Sequence, residues 1–145
     1  MAEQPPQTFA NHVRRDPAFH FFLAPLAIVL FGAAIAHAVR HPSSETVWMA
    51  LMGLTVLCAV FLIRIYSLKV QNRVIRLEER LRLKELLPAP LVPRIGELTG
   101  GQLIALRFAS DAEVPALVSN ALDQKMAPPD IKKAITNWRP DYSRV

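Results

Sequence analysis

Two apolar runs, Phe19–Val39 and Val47–Ile63, stand close together near the start of this chain, and the second passes directly into a charged stretch. Between Glu45 and Leu87 the only Gly is Gly53, and the next Pro is Pro88. Read as one helix, these 43 residues reach roughly 65 Å at about 1.5 Å per residue. That is about twice the thickness of a bilayer's hydrocarbon core. The first half is suited to a membrane and the second half must stand in water. A soluble domain of 145 residues would distribute its apolar residues over amphipathic segments, and this chain concentrates them instead.

The first run has its own boundaries. Asp16-Pro17 reads as a helix start, with Asp as the cap and Pro at the first helical position. Ala18–Val39 contains no Lys, Arg, Asp or Glu, and its length suffices to cross at about 1.5 Å per residue. A cleaved signal peptide is the competing reading, although its apolar core would be unusually long. Pro25 removes a helical hydrogen bond, which predicts a kink near Phe21 and Phe22 that neighbouring helices can tolerate. Gly32 and Ala36, four apart among Ala33, Ala34 and Ala38, predict a close-packing face, with Ala50 and Gly53 as its partner. Arg40–Glu45 is too short for anything but an antiparallel return. Ser43 or Ser44 can cap the second helix, with Trp48 at headgroup depth and Arg64 and Tyr66 at the far boundary.

The net charge of +5 and pI near 9.9 would fit nucleic acid or an anionic membrane. Its distribution favours the membrane. Residues 64–87 hold seven basic side chains against three Glu, and residues 88–145 hold seven against six acidic ones. Basic residues also precede the first span (Arg14, Arg15), whereas the connecting loop has only Arg40. This asymmetry predicts a multi-pass protein of a cytoplasmic membrane with both termini in the cytoplasm. Arg64, Lys69 and Arg73 are the candidate contacts to anionic lipid headgroups.

Beyond the membrane, Val70, Val74, Leu77 and Leu81 are spaced 4, 3 and 4, a heptad seam on an otherwise charged helix, with Leu68 and Ile75 as a second, thinner line. Pro88, Pro90 and Pro93 end that helix and make a stiff linker. Three short helices follow. Thr99 with Gln102 and Ser110 with Glu113 both fit capping boxes, starting helices that run to about Ala109 and Gln124. Ala127-Pro128-Pro129-Asp130 opens the third, with Ile131, Ala134, Ile135 and Trp138 on one face and Arg139-Pro140 as its stop.

The organisation expected is therefore an all-α membrane protein. It has a polar leader (1–16), a two-helix transmembrane hairpin (17–66, spans about 18–39 and 46–65), a basic amphipathic helix (67–87), a Pro-rich linker (88–98) and a helical bundle (99–145). The seam needs a cover. One candidate is the bundle folded back through Leu103/Leu106, Leu117/Leu122 and Ile131/Ile135/Trp138, which is the arrangement expected here; the other is the seam of a second copy. Val70, Val74, Leu77, Leu81, Ile131, Ile135 and Trp138 are the candidate interaction residues.

Catalytic and cofactor chemistry find little support. His37 and His41 are four apart, but the helix is ending there and Glu45 is the only nearby acidic ligand. Haem between the spans would need a second His at matching depth, and the second span has none. Neither span carries an internal charge of the kind ion transport needs. Cys58 is the only Cys and has no ionised neighbour. No metal, no cofactor and no catalytic residue is assigned. Lys132, Lys133 and Arg139 on the last helix would be the footprint of a nucleic-acid-binding regulator, which the near-neutral charge of this segment disfavours.

The strings NHVRRDPAFHFF, LKVQNRVIRLEERLRL, RIGELTGGQLIALRFASD and IKKAITNWRPDY resemble a family of bacterial two-pass membrane proteins catalogued as a domain of unknown function. The resemblance runs from Asn11 to Val145. It implies a bacterial inner-membrane protein and transfers no ligand or catalytic residue. The expected function is a non-catalytic anchor and interaction protein, an accessory subunit of a larger membrane complex with a protein partner. A membrane-tethered nucleic-acid regulator is the alternative.

Overall fold

The structure, a computed structural model, describes residues 6–11 and 15–141. These are helical, with no strand among the described residues. They form two compact units, one of residues 15–69 and one that joins residues 6–11 to residues 70–141.

In the first unit a π-helical turn, Ala18–Leu23, leads into α1, Ala24–Arg40. The Asp16 carboxylate accepts hydrogen bonds from the Ala18 and Phe19 amides at 3.0 and 3.3 Å, the capping role read from the sequence. Pro25 lies just after the π turn, which closes as the Ala24 amide donates to the Phe19 carbonyl. A wider turn next to Pro re-satisfies backbone groups that the missing N–H would strand. Helix α2, Ser44–Leu86, begins with a reciprocal cap in which Thr46 N–H donates to Ser43 Oγ and Ser43 N–H donates to Thr46 Oγ1. Ala18–Arg40 and Ser44–Leu86 are both long and apolar enough to cross a membrane, and only 11 % of the apolar window of each is buried.

What little burial exists follows two narrow stripes. Ala24, Ala27, Phe31, Ala34 and Ala38 are the covered positions of α1, and Thr46, Ala50, Gly53, Leu57, Val60 and Arg64 those of the first half of α2. A Cβ at Gly53 would lie 3.4 Å from Phe31 Cα and 3.8 Å from Ala34 Cβ, whereas one at Gly32 would meet nothing within 4 Å. The expected Gly32/Ala36 face is therefore replaced by the Phe31/Ala34 face. Phe19 packs edge-on against Phe61, with ring centroids 5.8 Å apart.

The second unit has a water-type core. Leu83, Leu103, Leu106, Phe108, Val114, Val118 and Ile131 are fully buried, joined by Leu87, Ile95, Leu98 and Ile135. The Pro-rich segment contributes a 3₁₀ helix, Val92–Glu97, whose Ile95 enters this core. Helix α3, Gly100–Leu106, carries the expected capping box, and Gln102 also donates to the carbonyls of Ala121 and Met126. Helix α4, Val114–Asp123, starts differently from expectation. Glu113 does not close a box with Ser110; it accepts hydrogen bonds from Thr136 and from the Asn137 amide. Lys125, at φ 49, and the Met126 amide bonded to the Ala121 carbonyl finish α4 in a left-handed turn.

Helix α5, Pro128–Ala134, stops before the expected Arg139-Pro140. Ile135 turns extended, and Trp138 sits opposite Ala109 in an isolated bridge. The Arg139 amide donates to the Phe108 carbonyl at 2.7 Å, and the Ser110 amide donates to the Asn137 carbonyl. Trp138 thus shares no helical face with Ile131; it lies against Phe108, centroids 5.1 Å apart.

Candidate functional site

In the second unit, the bundle packs on α2, as its small size requires, but on a different face from the seam. Ile75, Glu79 and Leu83 are the buried positions of this part of α2, followed by Leu87 just past its end, while Val70, Val74, Leu77 and Leu81 are 64, 47, 60 and 53 % exposed. The expectation that the bundle covers the seam is therefore incorrect. The second apolar line through Ile75 continues into Leu83, Leu86 and Leu87, so it offers a longer stripe that ends where the chain turns back at Pro88. Of the candidate interaction residues, Ile131 and Ile135 are core and Trp138 is packed against that core. Only the four seam residues remain at the surface.

The same packing creates a charged site that sequence periodicity did not suggest. Glu79 lies among the apolar positions of the buried stripe and is 5 % exposed. Arg82 donates to Glu79 at 3.0 Å, to the Asp111 carboxylate at 2.6 and 2.9 Å and to the Ala109 carbonyl at 2.7 Å. Arg139 lies 3.7 Å from the other Glu79 oxygen. Buried Arg107 pairs with Asp141 at 3.0 Å and stacks over the Phe108 ring at 4.4 Å. Desolvation holds the Glu79 carboxyl above its ordinary range, and attraction to Arg82 only partly offsets this. Asp111 is held below its ordinary range by the Arg82 hydrogen bond.

These groups edge a cleft of about 670 Å³, with Val74 and Glu78 on its rim. Glu79, Asp111 and Asp141 are each committed to an Arg, so the arrangement serves as a clamp between α2 and the segments around 107–111 and 139–141. The signal in the sequence was a lone carboxylate inside the Ile75–Leu83 apolar line.

In the first unit, Arg64 turns onto its own unit. It lies 3.6 Å from the Asp16 carboxylate and 5.4 Å from the Phe19 ring centre, with 14 % of its side chain exposed. A smaller apolar cleft, about 390 Å³, opens beside this pair between Phe19, Phe22, Val60 and Ile63. Lys69 sits over the Tyr66 ring at 5.3 Å, and Arg73 is exposed. His37 and His41 have ring centroids 5.1 Å apart. No group of three or more His, Cys, Asp or Glu side chains suited to a metal ion exists among the described residues.

A family model described as a family of unknown function, DUF6526, matches residues 1–145. The chain belongs to that family. No curated protein and no solved structure matches it. The DUF6526 match spans both units, so the apolar helices and the helical core that follows them are parts of one family unit rather than a fusion of two.

Proposed function

We propose that this chain is a non-catalytic anchor and interaction protein of the bacterial inner membrane, an accessory subunit of a larger membrane complex. α1 and the first half of α2 form an antiparallel transmembrane hairpin. Both termini are cytoplasmic, and the 70–141 unit is displayed there to a protein partner, with Lys69 and Arg73 against anionic headgroups.

One observation carries this reading. Gln7 donates to the Asp141 carbonyl at 3.2 Å and accepts from the Asp141 amide at 2.9 Å. Residues before the first apolar helix and residues after the second thus belong to one unit. A chain that crosses a bilayer an even number of times brings its ends to one side, and this pairing needs that parity. The exposure of the apolar helices supplies the motive for crossing, since about 25 cal/mol is lost for every Å² of apolar surface left in water. A role without catalysis fits a clamp whose carboxylates are engaged by Arg.

Reporter fusions after Ala10 and after Val145 should both give the cytoplasmic signal, and the protein should resist extraction from membranes at alkaline pH. A signal from opposite sides, or release by alkali, would overturn the proposal.

A further inference from the structure

The exposed seam has a definite partner chemistry written beside it. With Val74 and Leu81 at a and Val70 and Leu77 at d, the g positions are Arg73 and Arg80 and the e positions are Gln71, Glu78 and Glu85. Arg73, Arg80, Glu78 and Glu85 are all exposed. The contacts of the bundle fall elsewhere: Ile75, Glu79, Leu83 and Leu86 occupy b, f, c and f. Folding has therefore covered outer positions of the heptad and left Val70, Val74, Leu77 and Leu81 exposed, with Arg73, Glu78, Arg80 and Glu85 open beside them.

We propose that this face pairs with the same face of a second copy as a short parallel coiled coil. The charge pattern chooses both the partner and the direction. In a parallel pair each g side chain faces the e position five residues on in the partner chain. Arg73 then meets Glu78 of the second copy, and Arg80 meets Glu85, on both sides of a two-fold axis. An antiparallel pair would set g against g and e against e, which places Arg beside Arg and Glu beside Glu. The a/d residues are self-complementary, as a two-fold contact requires. Val at a followed by Leu at d, as at Val74 and Leu77, is the two-stranded preference.

The seam covers fewer than two heptads and would be a weak dimer in free solution. The pairing rests on the membrane reading. Two copies inserted the same way are confined to a plane with these helices already parallel, and confinement raises their effective concentration without any new contact.

The test uses the full chain in a Cys58→Ser background, in membranes, with one Cys added at the exposed d position, Leu77→Cys. Mild oxidation should link most of the protein as a dimer. In an antiparallel pair residue 77 faces residue 74, so a link that forms only when Val74→Cys and Leu77→Cys chains are mixed overturns the parallel arrangement. The absence of any link overturns the dimer. Charge reversal gives the second arm. Arg73→Glu/Arg80→Glu chains and Glu78→Arg/Glu85→Arg chains should each lose at least about tenfold in linked dimer, and mixing the two should restore it. Failure of the mixed pair to recover also overturns the proposal. Alkaline extraction is scored on the same samples, so a protein that never entered the membrane is distinguished from one that entered and did not pair.

Discussion

Residues 15–69 and residues 70–141 are both rich in Leu, Val, Ile and Phe, and they use them in opposite ways. In the first unit Phe22, Trp48 and Ile63 are 66 to 67 % exposed, and packing is confined to one narrow stripe on each helix. In the second, seven large side chains are fully buried around Phe108 and Leu103. The first unit has no inside to speak of, since its helices leave most of their apolar surface uncovered. The second follows the rule of water-soluble domains, in which removal of apolar area from water is the main stabilising effect. The contrast also explains the polar groups: the second unit can hold a buried carboxylate because three Arg side chains converge on it, whereas the first keeps its Arg64–Asp16 pair at the end of its helices.

The sharpest way to break this comparison is to shave one aromatic ring from each unit. Phe108→Ala leaves a cavity in a close-packed core and should cost about 3–5 kcal/mol. Phe22→Ala removes a ring with no such core around it and should change unfolding by less than about 0.5 kcal/mol. Denaturant titration of the full chain followed by far-UV circular dichroism, which reads the helices of both units, with Trp138 fluorescence in a Trp48→Phe background to mark the second unit, measures both. Equal effects would mean that the two units are not distinct in kind.

A smaller effect is expected from the helix pair of the first unit. Gly53→Leu forces a side chain into Phe31 and Ala34, and overpacking of this kind costs about 1–3 kcal/mol. Gly32→Leu enters open space and should be neutral. Unfolding midpoints of the two variants, followed by far-UV circular dichroism, would expose a reversed ranking.

The smallest effect is a pH dependence confined to the second unit. Because burial raises Glu79 above its ordinary 4.5, the folded state binds this proton more tightly than the unfolded chain. Stability from this group therefore increases as pH falls from above the folded value towards 4.5, and changes no further below that. Asp111 and Asp123, held below their ordinary 3.8 by Arg82 and Arg94, act in the other sense: their contribution is present above 3.8 and is lost as pH falls through their folded values. A shallow stability maximum in the weakly acidic range is expected. Glu79→Gln should abolish the gain on acidification from neutral pH and leave the acid-side loss intact, as read from unfolding midpoints across pH. A gain that survives in this variant would assign it to another group.

Features that depend on neighbours in sequence are legible in the sequence itself. Asp16, Ser43 and the Thr99–Gln102 box are caps, and a cap needs only its own first turn. The Ser110–Glu113 box has the same local pattern and failed for a long-range reason. The carboxylate found Thr136 and the Asn137 amide more than twenty residues away, and Ser110 Oγ is left buried with no hydrogen-bond partner. The end of α5 failed likewise, since pairing of Asn137 and Arg139 with the Phe108–Ser110 segment requires an extended Trp138. The choice between two apolar faces of α2 was not a local matter either. Both had the right period, and the face that the bundle took is the one that leads directly into the turn at Pro88. The charged clamp was hidden for the same reason, because its members lie on segments that only the tertiary fold assembles.

The pair of hydrogen bonds between Gln7 and Asp141 joins positions 134 residues apart, and this sets an order of events during synthesis. At about 5–20 residues per second, residue 141 is made roughly 7–27 s after residue 7. By then both apolar helices have left the ribosome and have had to find their surroundings. The second unit is thus a discontinuous domain, interrupted in the chain by residues 15–69, and its contact with the N-terminal segment closes only after those residues have been made. Termination between residues 87 and 141 would leave both apolar helices complete and Gln7 without its Asp141 partner.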